Sequence, residues 1–231
     1  MRLLARPSKI FLFNILESEL KKVMSGDGLD AASADFKNRQ FFKTDKYYGL
    51  DIDLLALERG INRYDDGKTF GILADMTKLD KIPGSTFNVV VSTNTLDHFV
   101  DKAPRTVAEL CRVVAPNGTI ILHMAINSDI RQILATVRQS FATTKVVYLK
   151  NPISKLFESI FETGNGFLTG RSKLFQLVAW IISRTEYITY HFHFMNEQVA
   201  IVGHDKIKKN NRHETLNLPA CLNHKRVYGA L

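Results

Sequence analysis

The stretch that decides the fold is LDAASADFKNRQFFKTDKYYGLDID, residues 29–53. It begins with an apolar residue and an acid, Leu29 and Asp30, and small residues follow at positions 32 to 34. It ends with a second short run that closes on another acid, Asp51. Small residues let a backbone approach a ligand closely, and an acid at the tip of a strand can accept hydrogen bonds from ribose hydroxyls. The stretch therefore indicates a nucleoside-cofactor site on a doubly wound sheet.

Strand patterns and helical patterns alternate along the rest of the chain. Residues 87–92, FNVVVS, form an apolar run without alternation, which is typical of a parallel strand buried on both faces. Asp53 is placed to cap the helix that follows the second strand. The alternation predicts βαβ units, so we expect an α/β fold with a doubly wound, mostly parallel sheet. The strands expected after the first are 46–50, 69–73, 87–92, 119–123, 144–149 and 197–203.

The domain organisation follows from the changes in pattern. We expect residues 1–28 to be an N-terminal helical cover, residues 29–204 to be the α/β domain, and residues 205–231 to be a basic C-terminal tail. Two helical patterns separated by glycines predict a helical insertion at about 151–186, before the last strand. The insertion is rich in Phe and Leu, so it could bind an apolar acceptor or touch a membrane surface. Ordinary packing over the sheet is the simpler alternative.

The charge of the chain raises the question of an anionic partner. Its 231 residues carry a formal net charge of +8. We interpret the basic tail as solvated and do not expect a nucleic-acid partner, because basic and aromatic residues are not interleaved in it. RNA binding through the tail is the alternative, and it predicts an affinity that falls steeply with salt. The basic residues of the tail are Lys206, Lys208, Lys209, Arg212, Lys225 and Arg226.

Compartment and metal binding are read from the cysteines and histidines. The two cysteines, Cys111 and Cys221, cannot form a disulfide framework, so we expect a reducing, cytoplasmic setting. No apolar run approaches the roughly 18 residues of a membrane span. His191 and His193 share the spacing of one strand face, but no third ligand stands in a recognisable spacing, so we expect no metal site. The oligomeric state is not indicated by the sequence.

Five motifs in order resemble the class I S-adenosylmethionine-dependent methyltransferases, and particularly the type 11 methyltransferase domain. They are LDAASA, GLDID, ADM, FNVVVSTNTLDHF and ELCRVVAPNGTIILHM, all between Leu29 and Met124. The resemblance implies a Rossmann-like fold and S-adenosylmethionine as the cofactor. It also implies methyl transfer to an acceptor such as a small molecule, a sugar or a lipid-linked metabolite.

The resemblance places one group of residues at the methionine end of the cofactor. Asp30, Ala32 and Ala34 occupy the first motif, and Thr93 and Asn94 would lie near the amino acid and the methyl group. The family has glycines where this chain has the two alanines. Their methyl groups fit if φ is negative at both positions; otherwise they narrow the pocket.

A second group of residues is assigned to the nucleoside end. Asp51 would accept hydrogen bonds from the ribose hydroxyls, and Ile52 would lie beside the adenine. Asp75 would accept from the adenine amino group, and Met76 would pack against the ring. At Asp51 a helix-capping role is the alternative, which we disfavour because Asp53 can supply the cap.

Two histidines are the candidate general bases for an oxygen acceptor. His98 follows Asp97 in the fourth motif, and His123 ends the fifth expected strand. Either histidine could instead be structural. The alternative for the whole chain is a non-catalytic cofactor-binding or interaction protein whose first glycine motif has degenerated. A nicotinamide-dependent reductase is disfavoured because the fingerprint GxGxxG is absent.

Overall fold

The computed structural model describes residues 6–98, 101–127, 129–163, 166–167, 172–207 and 227–229. The helices are α1 Pro7–Leu20, α2 Leu54–Arg63, α3 Ala103–Val113, α4 Ile130–Ser140, α5 Pro152–Phe161, α6 Lys173–Ile182 and α7 Glu186–Thr189. The strands are β1 Asp27–Ala31, β2 Lys46–Asp51, β3 Thr69–Leu73, β4 Phe87–Thr93, β5 Val114–Ala125, β6 Phe141–Leu149, β7 Glu162–Thr163, β8 Gly166–Phe167, β9 Gln198–Lys206 and β10 Val227–Gly229.

The main sheet has the strand order β10-β3-β2-β1-β4-β5-β9-β6. The pairs β1–β2, β1–β4, β2–β3, β4–β5 and β3–β10 are all parallel. The chain moves outward from β1 to β3 and then returns to β4 on the other side of β1. Strand order therefore reverses beside β1, and an α/β sheet binds its ligands at such a switch point. The predicted doubly wound α/β fold is confirmed.

Burial explains why these segments are strands. Val89, Val90 and Val91 of β4 are fully buried on both faces, as expected for a central parallel strand with β-branched side chains. β1 forms although the sequence before Leu29 has little strand propensity, because its residues pair with β2 on one side and β4 on the other. Tertiary pairing thus outweighs local propensity here.

Cα proximity divides the chain into two compact units. The smaller one comprises residues 1–19 and 146–200, and the larger one comprises residues 20–145 and 201–231. The larger unit contains the strands β1 to β5 and the helices α2 to α4. The smaller unit contains most of α1 together with α5, α6 and α7.

The smaller unit is held together by buried carboxyl groups. Glu158 accepts hydrogen bonds from the backbone N–H of Ser8 at 3.0 Å and from its hydroxyl at 2.6 Å, so it caps the first turn of α1. Glu186 accepts from the backbone N–H of Asn151 at 3.3 Å. Burial raises the pKa of Glu186 to about 6. An apolar cluster of Ile10, Phe157 and Ala179 completes this core.

The C-terminal part of the chain contributes to the sheet. β9 extends to Lys206, whose ammonium group donates to the backbone carbonyls of Arg112, at 2.8 Å, and Val114. Residues 227–229 pair with β3. The segment 208–226 lies outside the described residues, and so do most of the basic positions assigned to the tail. Because β9 runs from Gln198 to Lys206, the expected domain boundary between residues 204 and 205 falls inside this strand.

Candidate functional site

The acids singled out in the sequence lie at one edge of the sheet. β1, β2 and β3 run parallel, with Ala31 opposite Leu50 and Asp51 opposite Leu73. Asp30 is the penultimate residue of β1, Asp51 is the last residue of β2, and Asp75 follows β3 by two residues. Parallel strands bring their carboxyl ends to the same edge, so the fold collects these acids there.

Asp30 is enclosed by protein hydrogen bonds. Its carboxylate accepts from Asn38 Nδ2 at 3.1 Å and from Tyr47 Oη at 2.8 Å, and the residue is fully buried. Burial raises the pKa of Asp30 to about 7, although the hydrogen bonds from Tyr47 and Asn38 act in the opposite direction. The amide of Asn38 also donates to Thr93 Oγ1 at 3.1 Å, which links the ends of β1 and β4. Asp30 thus organises the floor of the site.

Asp51 ties the first motif to the tip of β2. Its Oδ2 accepts from the backbone N–H of Ala34 at 2.8 Å, and its Oδ1 accepts from the N–H of Asp53 at 3.0 Å. A carboxylate oxygen has two lone pairs, so each oxygen retains one for a ligand hydroxyl. Asp53 caps α2 by accepting from the N–H of Ala56 at 3.1 Å, as the sequence predicted. Asp51 is therefore not needed as the helix cap.

The turn after β1 has a left-handed backbone. The φ angles are 58° at Ala32, 47° at Ala34 and 61° at Phe36. L-residues rarely adopt this region, and glycine adopts it without steric cost. Of the two alternatives left open by the sequence, negative φ at the alanines is not the one found: the turn has the conformation that glycine favours while it carries side chains. The first motif therefore has a backbone that favours glycine at two positions where this chain has alanine.

Phe36 is the unexpected residue of this turn. It is fully buried and lies against two glycines, so that a Cβ added at Gly49 would be 2.1 Å from its ring, and one added at Gly60 would be 2.5 Å from it. Tyr47 contacts the ring edge-on, with centroids 5.2 Å apart. β2 and α2 therefore leave a slot that the Phe36 ring fills.

The residues assigned to the adenine differ in accessibility. Ile52 is 73% exposed and offers an apolar surface beside Asp51, whereas Met76 is almost completely buried. Asp75 accepts from the N–H of Thr77 and from its hydroxyl, both at 2.8 Å and both on Oδ1. Burial opposes ionisation of Asp75, but these hydrogen bonds and the nearby lysines hold its pKa below the usual range. An acid whose pKa favours ionisation, Asp75, and an exposed apolar side chain, Ile52, thus follow the ends of two neighbouring strands, β3 and β2.

The ends of β4 and β5 meet beside the first motif. Thr93 lies opposite His123 in the strand register, and the backbone N–H of Asn94 donates to the carbonyl of His123 at 3.0 Å. The His123 ring is almost completely buried. His98 is exposed at the end of a short 3-10 turn, Leu96–His98. The fold therefore brings His123 next to the predicted methyl end but encloses its ring.

Three residues of this site were not singled out in the sequence. Asn38 and Tyr47 hold the Asp30 carboxylate, and Phe36 fills the slot behind the turn. The fully buried Tyr47 belongs to a strand pattern and gave no sign of its acid partner. Its partner became evident only when β1 and β2 were paired in register. Two glycines could have indicated the slot, namely Gly49 in β2 and Gly60 in α2. Glycine destabilises the interior of a strand or a helix, so its presence there suggests a close neighbour.

The family assignment comes from the segment that builds this edge. Residues 23–122 match the family model described as "Methyltransferase domain". This segment is therefore similar to a methyltransferase domain. The matched segment includes every predicted cofactor-binding position, from Asp30 to Asn94, while His123 lies one residue beyond it. A search of the curated proteins found no match.

Solved structures that resemble the methyltransferase domain and its flanking segments include enzymes with different reactions. Geranyl diphosphate C-methyltransferase from Streptomyces coelicolor A3(2), in complex with S-adenosyl-L-homocysteine, is 10% identical with a TM-score of 0.57 over 85% of this chain and 80% of that one. N-methyltransferase NodS from Bradyrhizobium japonicum WM9 is 12% identical with a TM-score of 0.55 over 64% and 83%. The [4+2]-cyclase SpnF is 11% identical with a TM-score of 0.54 over 85% and 81%. These likenesses establish the class I methyltransferase fold, which by itself does not fix the reaction.

Two kinds of feature are absent from the part of the chain that the structure describes. Among the described residues, no group of three or more His, Cys, Asp or Glu residues is arranged to hold a metal ion. Within the same part of the chain, no helix is long and apolar enough to cross a membrane.

Proposed function

We propose that this protein transfers the methyl group of S-adenosylmethionine to a small-molecule or lipid-linked acceptor. The observation that carries the proposal is the convergence of Asp30, Asp51 and Asp75 at the carboxyl ends of three adjacent parallel strands, within a segment that matches the methyltransferase domain model. The chain supplies hydrogen-bond acceptors for ribose hydroxyls and for an adenine amino group. It also supplies an exposed apolar side chain for the adenine ring, so these residues fit this cofactor.

Each group of residues would have a distinct task. Asp51 would accept from the ribose hydroxyls through the lone pairs left by Ala34 and Asp53. Asp75 would accept from the adenine amino group, with Ile52 beside the ring, and Asp30 would hold Asn38 and Thr93 in place at the methionine end. When bound, S-adenosylmethionine supplies an electrophilic methyl group.

Catalysis on this scaffold would depend mainly on alignment. An acceptor held in line with the methyl group reacts faster because the entropy cost of orientation has already been met by binding. An oxygen acceptor also needs a proton acceptor, and His98 is the accessible candidate in the described part of the chain. His123 could serve only if its enclosure opened, since its ring is buried. A nitrogen acceptor would need orientation and desolvation alone.

A calorimetric titration with S-adenosylmethionine and S-adenosylhomocysteine tests the proposal. We expect weak but measurable binding, and we expect Asp51→Ala to lower the affinity at least tenfold. A lost hydrogen bond to a charged acceptor costs roughly 1.5–3 kcal/mol. Asp80→Ala is the matched control, because it removes one exposed acid outside the site. Unchanged affinity in a folded Asp51→Ala protein would remove Asp51 from the site.

A non-catalytic role is the second candidate, and a specific observation favours it. In the first motif, alanines with a left-handed backbone conformation stand where the family has glycines. Phe36 has the same backbone conformation. If the pocket has closed, the wild type would show no binding of either ligand in the same titration. Binding without methyl transfer to any acceptor would leave cofactor sensing as the function.

A further inference from the structure

The helices α5 and α6 carry apolar faces that the core does not use. On α6, Leu174, Leu177, Val178 and Ile181 are all exposed, at the spacing i, i+3, i+4 and i+7 that defines one side of a helix. On α5, the exposed aliphatic residues are Ile153, Leu156 and Ile160, again on one side. These residues belong to two helices that contact each other, so they differ from single leucines scattered over a surface.

The exposed aliphatic residues of α5 and α6 are not needed for the hydrophobic core. The contact between α5 and α6 is made by aromatic residues on other sides of the helices: the rings of Phe157 and Phe175 stack with centroids 5.0 Å apart, and Phe161 meets Phe175 edge-on at 4.5 Å. Ala179 of α6 is fully buried in the same cluster. The packing of this unit is therefore satisfied without the exposed aliphatic side chains.

The exposed charges within α5, α6 and the segment that follows α6 have one sign. Within residues 152–161 and 172–195, the exposed charged side chains are Lys155, Lys173 and Arg184. The acids of these segments, Glu158 and Glu186, are buried. Lys155 forms an ion pair with Glu197, which leaves Lys173 and Arg184 as the cations of α6 and its C-terminal extension. Exposed aliphatic side chains together with cations suit a membrane surface, which offers anionic headgroups above an apolar interior.

Aromatic residues stand beside one of these cations. The Arg184 guanidinium lies 4.3 Å from the centroid of the Trp180 ring and 5.7 Å from that of Tyr187. Tryptophan, tyrosine and arginine are amphipathic, and they accumulate where an apolar phase meets water. We infer that the α5–α6 apolar face, defined as the seven exposed aliphatic residues of these helices, docks on the surface of a membrane that contains anionic lipids.

Vesicle co-sedimentation of the full chain tests this inference. We expect binding to phosphatidylcholine–phosphatidylserine vesicles, weaker binding to phosphatidylcholine alone, and loss of affinity as salt is raised. The double variant Leu174→Asp, Ile181→Asp should bind at least tenfold more weakly. Met24→Asp is the matched control, because Met24 is 73% exposed in the other unit and should leave vesicle binding unchanged. Circular dichroism shows whether each variant is folded.

A second variant separates the cations from the apolar face. Lys173→Ala with Arg184→Ala should weaken binding to the anionic vesicles by about fivefold for each cation and reduce its dependence on salt. Equal binding to neutral and anionic vesicles, or none to either, overturns the inference. Dimerisation seen by light scattering and abolished by Leu174→Asp, Ile181→Asp, without vesicle binding, would also overturn it and assign the face to a second copy. None of these measurements depends on cofactor binding or methyl transfer.

Discussion

At positions 32 and 34, alanines occupy a backbone region that glycine enters without steric cost. Replacing both by glycine should therefore stabilise the protein, by about 1 kcal/mol for each site, because the strain relieved exceeds the entropy added to the unfolded chain. Urea unfolding measures this difference. Cofactor affinity should hold or improve, since two methyl groups are removed beside the proposed ligand.

The control for this pair is an alanine in an ordinary helix. Ala108 is exposed in α3, and Ala108→Gly should lower the free energy of unfolding by about 1 kcal/mol. The two experiments thus predict opposite signs for the same chemical change. A loss of stability in the Ala32→Gly, Ala34→Gly variant as large as that of the control would contradict the left-handed turn.

The buried acid Asp30 makes stability depend on pH. Because its pKa is raised to about 7, folded Asp30 keeps its proton between about pH 4 and 7, where the unfolded chain has lost it. The free energy of unfolding should then fall as pH rises through this window, by at most about 1.4 kcal/mol per pH unit, and level off above it. In the Asp30→Asn variant, this fall in the free energy of unfolding should be absent, as measured by urea unfolding at pH 5, 6, 7 and 8.

Asp75 provides the contrast for that experiment. Its pKa is lowered in the folded protein, so its contribution is complete above the unfolded value and is lost only as the pH falls below it. Asp75→Asn should therefore leave the pH dependence between pH 5 and 7 unchanged. Parallel curves for the wild type and Asp30→Asn would show that Asp30 is ionised throughout.

At the scale of helices and strands, the Phe36 slot reverses an ordinary expectation. Gly60 lies inside α2, where glycine-to-alanine exchange normally stabilises a helix by about 1 kcal/mol. Here the added methyl group would meet the Phe36 ring at 2.5 Å, so Gly60→Ala should destabilise by about 1–3 kcal/mol.

A double-mutant cycle isolates that contact. In a Phe36→Ala background the methyl group has room, so Gly60→Ala should become neutral or stabilising, with a coupling energy of about 1–3 kcal/mol. Chemical denaturation of the four proteins gives this value. Additive effects would mean that the ring and the glycine do not meet.

Elements with a strong local signal were predicted well. The expected bounds of β3 agree with the structure, those of β2 and β4 differ by one residue, and the Asp53 cap is present. The start of β5 was missed, because the Pro116–Gly118 turn suggested a break where the strand already runs. The left-handed turn could not be decided from the sequence, since alanine and phenylalanine have no local preference for it and only the surrounding fold imposes it.

At the scale of the whole molecule, shortening the C-terminal segment tests where the domain ends. A chain that ends at residue 207 loses β10 but keeps β9 and the hydrogen bonds of Lys206, so it should retain the rest of the fold and cofactor binding. A chain that ends at residue 204 loses these bonds to the carbonyls of Arg112 and Val114 and should be less stable by about 1.5–3 kcal/mol. Thermal unfolding of both chains measures the difference, and equal melting temperatures would show that Lys206 contributes nothing.

The slot around Phe36 also restricts the routes by which this sequence could have arisen. A phenylalanine at position 36 is tolerable only once Gly49 and Gly60 are both in place, because a side chain at either would occupy the space of its ring. We therefore expect that the glycines came first, or that all three changes were nearly simultaneous. With the ring in place, replacing either glycine alone lowers stability. Relatives with a small residue at position 36 should be free to carry larger residues at both partner positions, and relatives with an aromatic residue there should not.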